Sequence, residues 1–187
     1  MFHIKRGDNP PFFAWQGRRE LLGDLFKELG YTIGAEIGVE RGIFSATLCQ
    51  KNPNLHLKCV DPWEPYFYYT QTSEETVRVK YEEAKRTLAP YNVEIVRKTS
   101  MDAVKEFKDG SLDFVYIDGL HDFDNVMLDL IHWGPKVRPG GIISGHDYCA
   151  GYMVGVVPAV DTYTRAHNVK MYYITREREP SFFWVKE

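Results

Sequence analysis

Residues 170–186 read K-M-Y-Y-I-T-R-E-R-E-P-S-F-F-W-V-K. Two short apolar runs, K-M-Y-Y-I-T and S-F-F-W-V-K, flank the charged turn R-E-R-E-P, and no helical period separates them. Strands joined so tightly form a hairpin and run antiparallel. Upstream the rhythm differs: each apolar run of strand length is followed by a segment with helical spacing. A parallel sheet that ends in an antiparallel hairpin is the architecture this contrast predicts.

Working back toward the N-terminus, the spacing predicts a helix over residues 156–166 and a strand G-I-I-S-G, turned in by Pro139-Gly140-Gly141. Phe123, Val126, Met127, Leu130 and Ile131 fall on one helical face. L-D-F-V-Y-I-D is a strand ending in a carboxylate, and V-E-I-V is another. Ser100 is placed to cap the short helix M-D-A-V-K-E-F, and Thr72 with Glu75 to form a capping box before Val77, Tyr81, Ala84 and Leu88. L-K-C-V-D and G-A-E-I-G are the first two strands in the chain, with I-F-S-A-T-L-C opening the helix between them. Leu21, Leu22, Leu25, Phe26 and Leu29 mark the first helix, closed by Gly30. The expected fold is an α/β, Rossmann-like three-layer sandwich. Its sheet has seven strands, mostly parallel, with one antiparallel strand from the C-terminal hairpin. A single domain spans 1–187: residues 1–30 form an N-terminal arm and helix, and 31–187 the core.

The length of 187 residues suits one core, and the apolar fraction of 44% and charged fraction of 26% are ordinary for a globular chain. A formal net charge of -3 supplies no global field for nucleic acid or an acidic membrane. No apolar run approaches a spanning helix, and M-F-H-I-K-R-G-D-N-P-P lacks a signal-peptide core. Cys49, Cys59 and Cys149 have no metal-like spacing and read as reduced, buried thiols, which points to the cytoplasm. His3, His56, His132 and His167 read as surface or packing residues.

In open parallel sheets the ligand sits beyond the carboxyl ends of the strands. Those ends carry Gly38 to Gly42, Asp61, Ser100, Asp118 to His121 and His146 to Tyr148. The first turn, E-I-G-V-E-R-G, puts Glu40 where a dinucleotide fold needs its second glycine. A carboxylate there repels and crowds a pyrophosphate, and Glu36 adds to the charge. A ligand without phosphate and with a positive centre suits the turn, and S-adenosylmethionine has that chemistry. Asp61, 23 residues after Gly38, is placed to accept both ribose hydroxyls.

The segments G-A-E-I-G-V-E-R-G-I-F-S, V-D-P-W, S-L-D-F-V-Y-I-D-G-L-H-D-F, P-G-G-I-I-S-G-H-D-Y and G-V-V-P-A-V-D-T-Y together resemble a class I S-adenosylmethionine-dependent methyltransferase. The nearest likeness is to the small O-methyltransferase-like branch with macrocin-type enzymes and cephalosporin hydroxylase relatives. The resemblance covers most of residues 33–163. It implies that Glu36, Gly38, Glu40, Gly42 and Ser45 line the methionine end of the cofactor. It further implies that Asp61 holds the ribose, that Trp63 flanks it, and that Ser100 and Met101 border the adenine.

Asp118, His121, His146 and Asp147 converge if the fourth and fifth strands are neighbours. His121 or His146 then serves as general base for an acceptor hydroxyl. Metal-dependent O-methyltransferases of this fold use one carboxylate after the fourth strand and two oxygen ligands after the fifth. Asp118 and Asp147 match, while His146 departs from the pattern and suits manganese, iron or zinc better than magnesium. The expected metal set is Asp118, His146 and Asp147. Tyr148 is expected to close the acceptor site toward the last helix.

D-N-P-P-F at 8–12 resembles the motif of amino-methylating enzymes, but it lies before the sheet rather than after its fourth strand. The aromatic run W-E-P-Y-F-Y-Y-T fits a lid over the acceptor and an oligomer contact equally well. The reading is methyl transfer from S-adenosylmethionine to a hydroxyl of a small molecule, with a sugar or glycan precursor as one acceptor class. The expected partners are the small acceptor and a second copy in a homodimer, without nucleic acid or membrane. The alternatives are a non-catalytic binding module, a nicotinamide enzyme, and a metal-dependent oxygenase or hydrolase on the same scaffold.

Overall fold

A computed structural model describes residues 10–13, 17–65, 73–149 and 155–187. Its elements run β1 (Phe12–Phe13), α1 (Glu20–Glu28), β2 (Ile33–Ile37), α2 (Ile43–Lys51), β3 (His56–Val60), α3 (Glu74–Leu88) and β4 (Val93–Val96). They continue with α4 (Ser100–Ala103), β5 (Leu112–Ile117), α5 (Phe123–Trp133), β6 (Val137–Gly145), α6 (Val156–Ala166), β7 (Tyr173–Ile174) and β8 (Phe182–Val185). The described strands form one eight-stranded sheet in the order β1-β7-β8-β6-β5-β2-β3-β4. β2 to β6 are parallel, and β8 runs antiparallel to both β6 and β7.

The pleat splits the core in two. Phe114 and Tyr116 of β5 pack with Leu22 and Phe26 of α1, Leu48 of α2 and Leu88 of α3. Val115 and Ile117 point the other way, against Val126 and Leu130 of α5 and Val160 of α6. Strands buried on both faces account for the unbroken apolar runs in the sequence. Phe26 stacks on Phe114 with ring centroids 3.9 Å apart, directly over Gly34, where a Cβ would meet the Phe114 ring at 2.2 Å.

The structure departs from the expected pattern in several places. The sheet has an eighth strand: Phe12–Phe13 of the arm pairs in parallel with β7, and the Phe12 N–H donates to the Tyr172 carbonyl at 2.9 Å. β6 starts at Val137 rather than after Pro139-Gly140-Gly141, and those residues form a bulge between the pairs Leu112–Val137 and Phe114–Ile142. Thr99, not Ser100, caps α4, accepting from the Asp102 N–H at 3.2 Å. Thr72 lies outside the described residues, and Ser73 caps α3. Leu21 and Leu29 face solvent, so the buried face of α1 is Leu22 and Phe26. Cys49 and Cys59 are buried free thiols, whereas Cys149 is partly exposed. Residues 66–70 of the aromatic run and residues 8–9 lie outside the described residues. No described helix is long and apolar enough to cross a membrane.

Candidate active site

A cleft of about 620 Å³ opens beyond the carboxyl ends of β2, β3, β4 and β5. Its floor is the ends of the paired parallel strands β2 and β5. Gly38 leaves β2 at φ +88°, and a Cβ there would lie 2.0 Å from the Asp118 carbonyl oxygen. Only glycine fits both the torsion and the gap. The chain then turns through Glu40, at φ +50°, and Gly42 into α2.

Asp61 organises this turn. One carboxylate oxygen accepts from the Val39 and Glu40 N–H groups at 3.0 and 2.9 Å, and the other from the Trp63 N–H at 2.7 Å. Three of about four lone-pair sites are therefore engaged by backbone, leaving about one for a ligand donor where the sequence reading expects two. The loop N–H groups that would cradle a phosphate are taken, a firmer obstacle to a dinucleotide than the charge of Glu40. The Glu40 carboxylate itself turns outward to Lys80 at 2.8 Å. Trp63 is buried, its indole N–H donates to the Glu40 carbonyl at 2.8 Å, and its ring packs on Tyr81. It braces the loop at φ +45°.

One end of the cleft is charged. Glu36, buried in β2, accepts a hydrogen bond from the Ser45 hydroxyl of α2. Burial pushes its carboxyl up to about 8, and the Ser45 bond only partly offsets this. The Arg19 guanidinium lies over the Phe44 ring, 4.9 Å from its centroid, and 3.8 Å from the Asp118 carboxylate. At the other end Ser100 donates to the Asp129 carboxylate and accepts from the Trp133 indole at 2.8 Å. Met101 lines the same end. Burial raises Asp129 to about 7, against the Ser100 bond.

These two carboxyls set an expected pH dependence. Each holds in the folded state a proton that the unfolded chain has already released. Stability of the ligand-free protein is therefore highest on the acid side and falls as pH rises through the ordinary carboxyl range toward about 7 for Asp129 and about 8 for Glu36. Melting temperatures measured across this range are expected to decline, with a flatter slope in Glu36→Gln. A slope unchanged by that substitution would place the linkage elsewhere.

Beside the charged end, β5 and β6 deliver the histidines and carboxylates. The His121 Nε2 lies 3.1 Å from Asp147 and 3.4 Å from Asp118. The His146 Nδ1 lies 3.3 Å from Asp147 and 3.8 Å from Asp118. Asp147 stands at φ +57°, a left-handed turn that follows directly on His146. Burial opposes the charged imidazolium of His121, but its bond to Asp118 and the charges of Asp118 and Asp147 outweigh this and raise its pKa. His146 is raised in the same way, with the Asp147 bond the main support. Burial pushes Asp147 up, but the two histidines hold it below its ordinary value.

The group whose ligand atoms lie within 4.8 Å of one another is Asp118, His121 and Asp147. This group has His121 where the expected metal set of Asp118, His146 and Asp147 has His146. The His121 Nε2 lies within 3.4 Å of both carboxylates, whereas the His146 Nδ1 is 3.3 Å from Asp147 and 3.8 Å from Asp118. The Tyr148 hydroxyl does reach the last helix, donating to Asp161 of α6 at 2.7 Å, and is held there alongside Tyr172.

Arg19 and Asp129 are among the cleft residues that escape the sequence reading. Arg19 comes from the arm, where Arg18-Arg19 looks like a surface charge pair. Asp129 left a signal: it sits in α5 between Val126 and Leu130, an acidic residue inside the buried stripe.

A family profile described as a methyltransferase domain matches residues 35–148, the span that holds the cleft floor, Asp61, Ser100 and the whole Asp118–Asp147 cluster. The chain belongs to this methyltransferase-domain family. Among solved structures it resembles the O-methyltransferase TomG of Streptomyces achromogenes, involved in tomaymycin synthesis and solved in complex with SAM. The TM-score is 0.66 at 16% identity, covering 95% of this chain and 83% of that one. An O-methyltransferase of Bacillus cereus, in complex with SAH, gives a TM-score of 0.65 at 17% identity over 89% of this chain and 80% of that chain. Both likenesses are of fold. An uncharacterized protein of Sinorhizobium fredii (strain NBRC 101917 / NGR234) is 34% identical over 53 residues, 28% of this chain. That match spans 6% of the relative's length.

Proposed function

We propose that this member of the methyltransferase-domain family transfers a methyl group from S-adenosylmethionine to a hydroxyl of a small molecule. The acceptor class suggested by the macrocin-type resemblance is a sugar or glycan precursor. The observation that carries this reading is the position of Asp118, which lines the cleft and also belongs to the histidine–carboxylate cluster. A cofactor lying with its adenine by Ser100, Met101 and Asp129 and its ribose by Asp61 brings its charged end to that junction. The relatives of known structure in complex with SAM and SAH support the choice of cofactor.

Bound S-adenosylmethionine supplies an electrophilic methyl group on a sulfonium. The chain supplies the rest. His121, the histidine that lines the cleft, would take the proton of an acceptor hydroxyl there, leaving its oxygen free to receive the methyl group. Asp147 and Asp118 orient the ring and stabilise the imidazolium it becomes. Gly38 and Asp61 fix the cofactor loop, so that acceptor and methyl meet in line. The convergence of Asp118, His121 and Asp147 favours a second reading of the cluster: these residues suit a manganese, iron or zinc ion, which would lower the pKa of a bound hydroxyl. In that reading His146 is the remaining base.

Calorimetric titration of metal-stripped protein with S-adenosylmethionine and S-adenosylhomocysteine, with NAD as control, tests the cofactor. Micromolar binding of the first two is expected, and no heat from either would sink the reading. An acceptor screen with and without added divalent ion then separates the two forms of the cluster. The titration also carries a proton signature. Near neutral pH the empty site holds Glu36 protonated, and a cationic ligand beside it favours the ionised form. Release of up to about one proton per cofactor is expected, seen as a binding enthalpy that varies with the ionisation enthalpy of the buffer, and lost in Glu36→Gln.

A further inference from the structure

We infer that Arg19, delivered by the N-terminal arm, binds the carboxylate of the cofactor's amino-acid tail; the inference rests on the cofactor reading above. The arm is fastened at both sides of this residue. The Arg176 N–H donates to the Gly17 carbonyl at 2.8 Å, and the Arg19 N–H donates to the Glu177 carboxylate at 2.8 Å. Backbone bonds thus hold Arg19 in place and leave its side chain to the cleft, which it lines together with Glu36 and Asp118.

The charges match an amino acid. With adenine and ribose accounted for by Ser100, Met101 and Asp61, the remaining end of the ligand carries a sulfonium, an ammonium and a carboxylate. The remaining end of the cleft carries two carboxyl groups, Glu36 and Asp118, and one cation, Arg19. The acidic pair suits the ligand's positive centres, and the guanidinium suits its anion. Arg19 stands 3.8 Å from Asp118, beyond hydrogen-bond length, so that contact does not saturate its five donors. Its guanidinium carbon lies 4.9 Å from the centroid of the Phe44 ring, in the first turn of α2, and a planar fork of donors is suited to bidentate carboxylate binding.

The test compares ligands that differ in the amino-acid tail. S-adenosylhomocysteine has the carboxylate, and methylthioadenosine lacks the whole amino-acid portion. In Arg19→Gln, affinity for S-adenosylhomocysteine is expected to fall about ten- to hundred-fold, the worth of one charge-assisted contact. Affinity for methylthioadenosine is expected to stay within about twofold, because its adenosine contacts are untouched. Arg19→Lys, which keeps the charge and loses the fork, is expected to fall between wild type and Arg19→Gln. Equal losses for both ligands in Arg19→Gln would show that Arg19 merely props up the cleft, and no loss for either would show that it faces no ligand; either result overturns the inference. Wild-type protein that binds neither ligand would instead overturn the cofactor reading on which the inference stands. Far-ultraviolet circular dichroism and thermal melting of each variant separate loss of affinity from loss of fold.

Discussion

Asp61→Ala is expected to reduce cofactor binding by at least about a thousandfold and to lower the melting temperature. The side chain looks like a ligand contact from the sequence, yet most of its bonding capacity goes to the protein. Alanine would leave the N–H groups of Val39, Glu40 and Trp63 without their acceptor in a largely buried site. Each unsatisfied buried donor costs about 1–3 kcal/mol, and rehydration of the loosened loop recovers part of that, so a net loss of roughly 3 kcal/mol is reasonable. At this chain length such a loss corresponds to a drop of roughly 6–12 °C. The affinity suffers twice, since the ribose loses its acceptor and the turn that approaches the methionine end loses its shape. Asp61→Asn separates these effects. Its single carbonyl oxygen can keep Val39 and Glu40, but its NH₂ then faces the Trp63 N–H. Intermediate stability is expected, with Trp63 released; near-ultraviolet circular dichroism would register the loss of the Trp63–Tyr81 packing. An Asp61→Ala protein as stable as wild type would show that the loop does not depend on this carboxylate.

The second large effect is on chemistry. His121→Ala is expected to lower kcat about 10²- to 10⁴-fold, the usual contribution of a positioned acid or base. Cofactor affinity should remain nearly unchanged, because His121 contributes no contact to the adenosine end. The pH profile carries the mechanistic content. The raised pKa of His121 keeps it protonated to higher pH than a free imidazole, and a general base must be neutral to act. Activity is therefore expected to rise with pH through that raised value and to fall away on the acid side. His121→Ala should abolish this limb along with the rate. If His146→Ala abolishes it instead, while His121→Ala weakens divalent-ion binding, the cluster works as a metal site with His146 as base. Activity and ligand-free stability are therefore expected to run in opposite directions with pH, since Glu36 and Asp129 favour the folded state on the acid side and a proposed histidine base would act on the alkaline side.

What could be read from the sequence follows the reach of the forces involved. Val93–Val96 and Val156–Ala166 are legible to the residue because strand and helix periods are local. β1 is not, since two residues have no period and their partners, Tyr173 and Ile174, lie far along the chain. Thr99 and Ser100 are both good caps by type. Asp129 and Trp133, which engage the Ser100 hydroxyl from α5, decide between them. The site shows the same division. Strand ends point out Asp61, Asp118 and Asp147 because carboxylates there are conspicuous. That Asp61 faces three N–H groups depends on left-handed torsions at Glu40 and Trp63, which neither residue type announces. That His121 rather than His146 groups most tightly with the two carboxylates depends on side-chain distances across β5 and β6, which the sequence does not carry.

The placement of β8 bears on how the protein comes into being. β8 is the last strand in the sequence, yet it lies inside the sheet, between β6 and β7, and β1 waits at the edge for β7. The two clasps on the arm also come from the hairpin, the Arg176 N–H holding the Gly17 carbonyl and the Glu177 carboxylate holding the Arg19 N–H. A ribosome that has translated the methyltransferase-family span to residue 148 has made nearly all of the binding cleft but has not yet supplied the fastening of its arm. The arm that carries Arg19 gains its clasps only once Arg176 and Glu177 have been made, so that a chain cut short before them lacks this fastening.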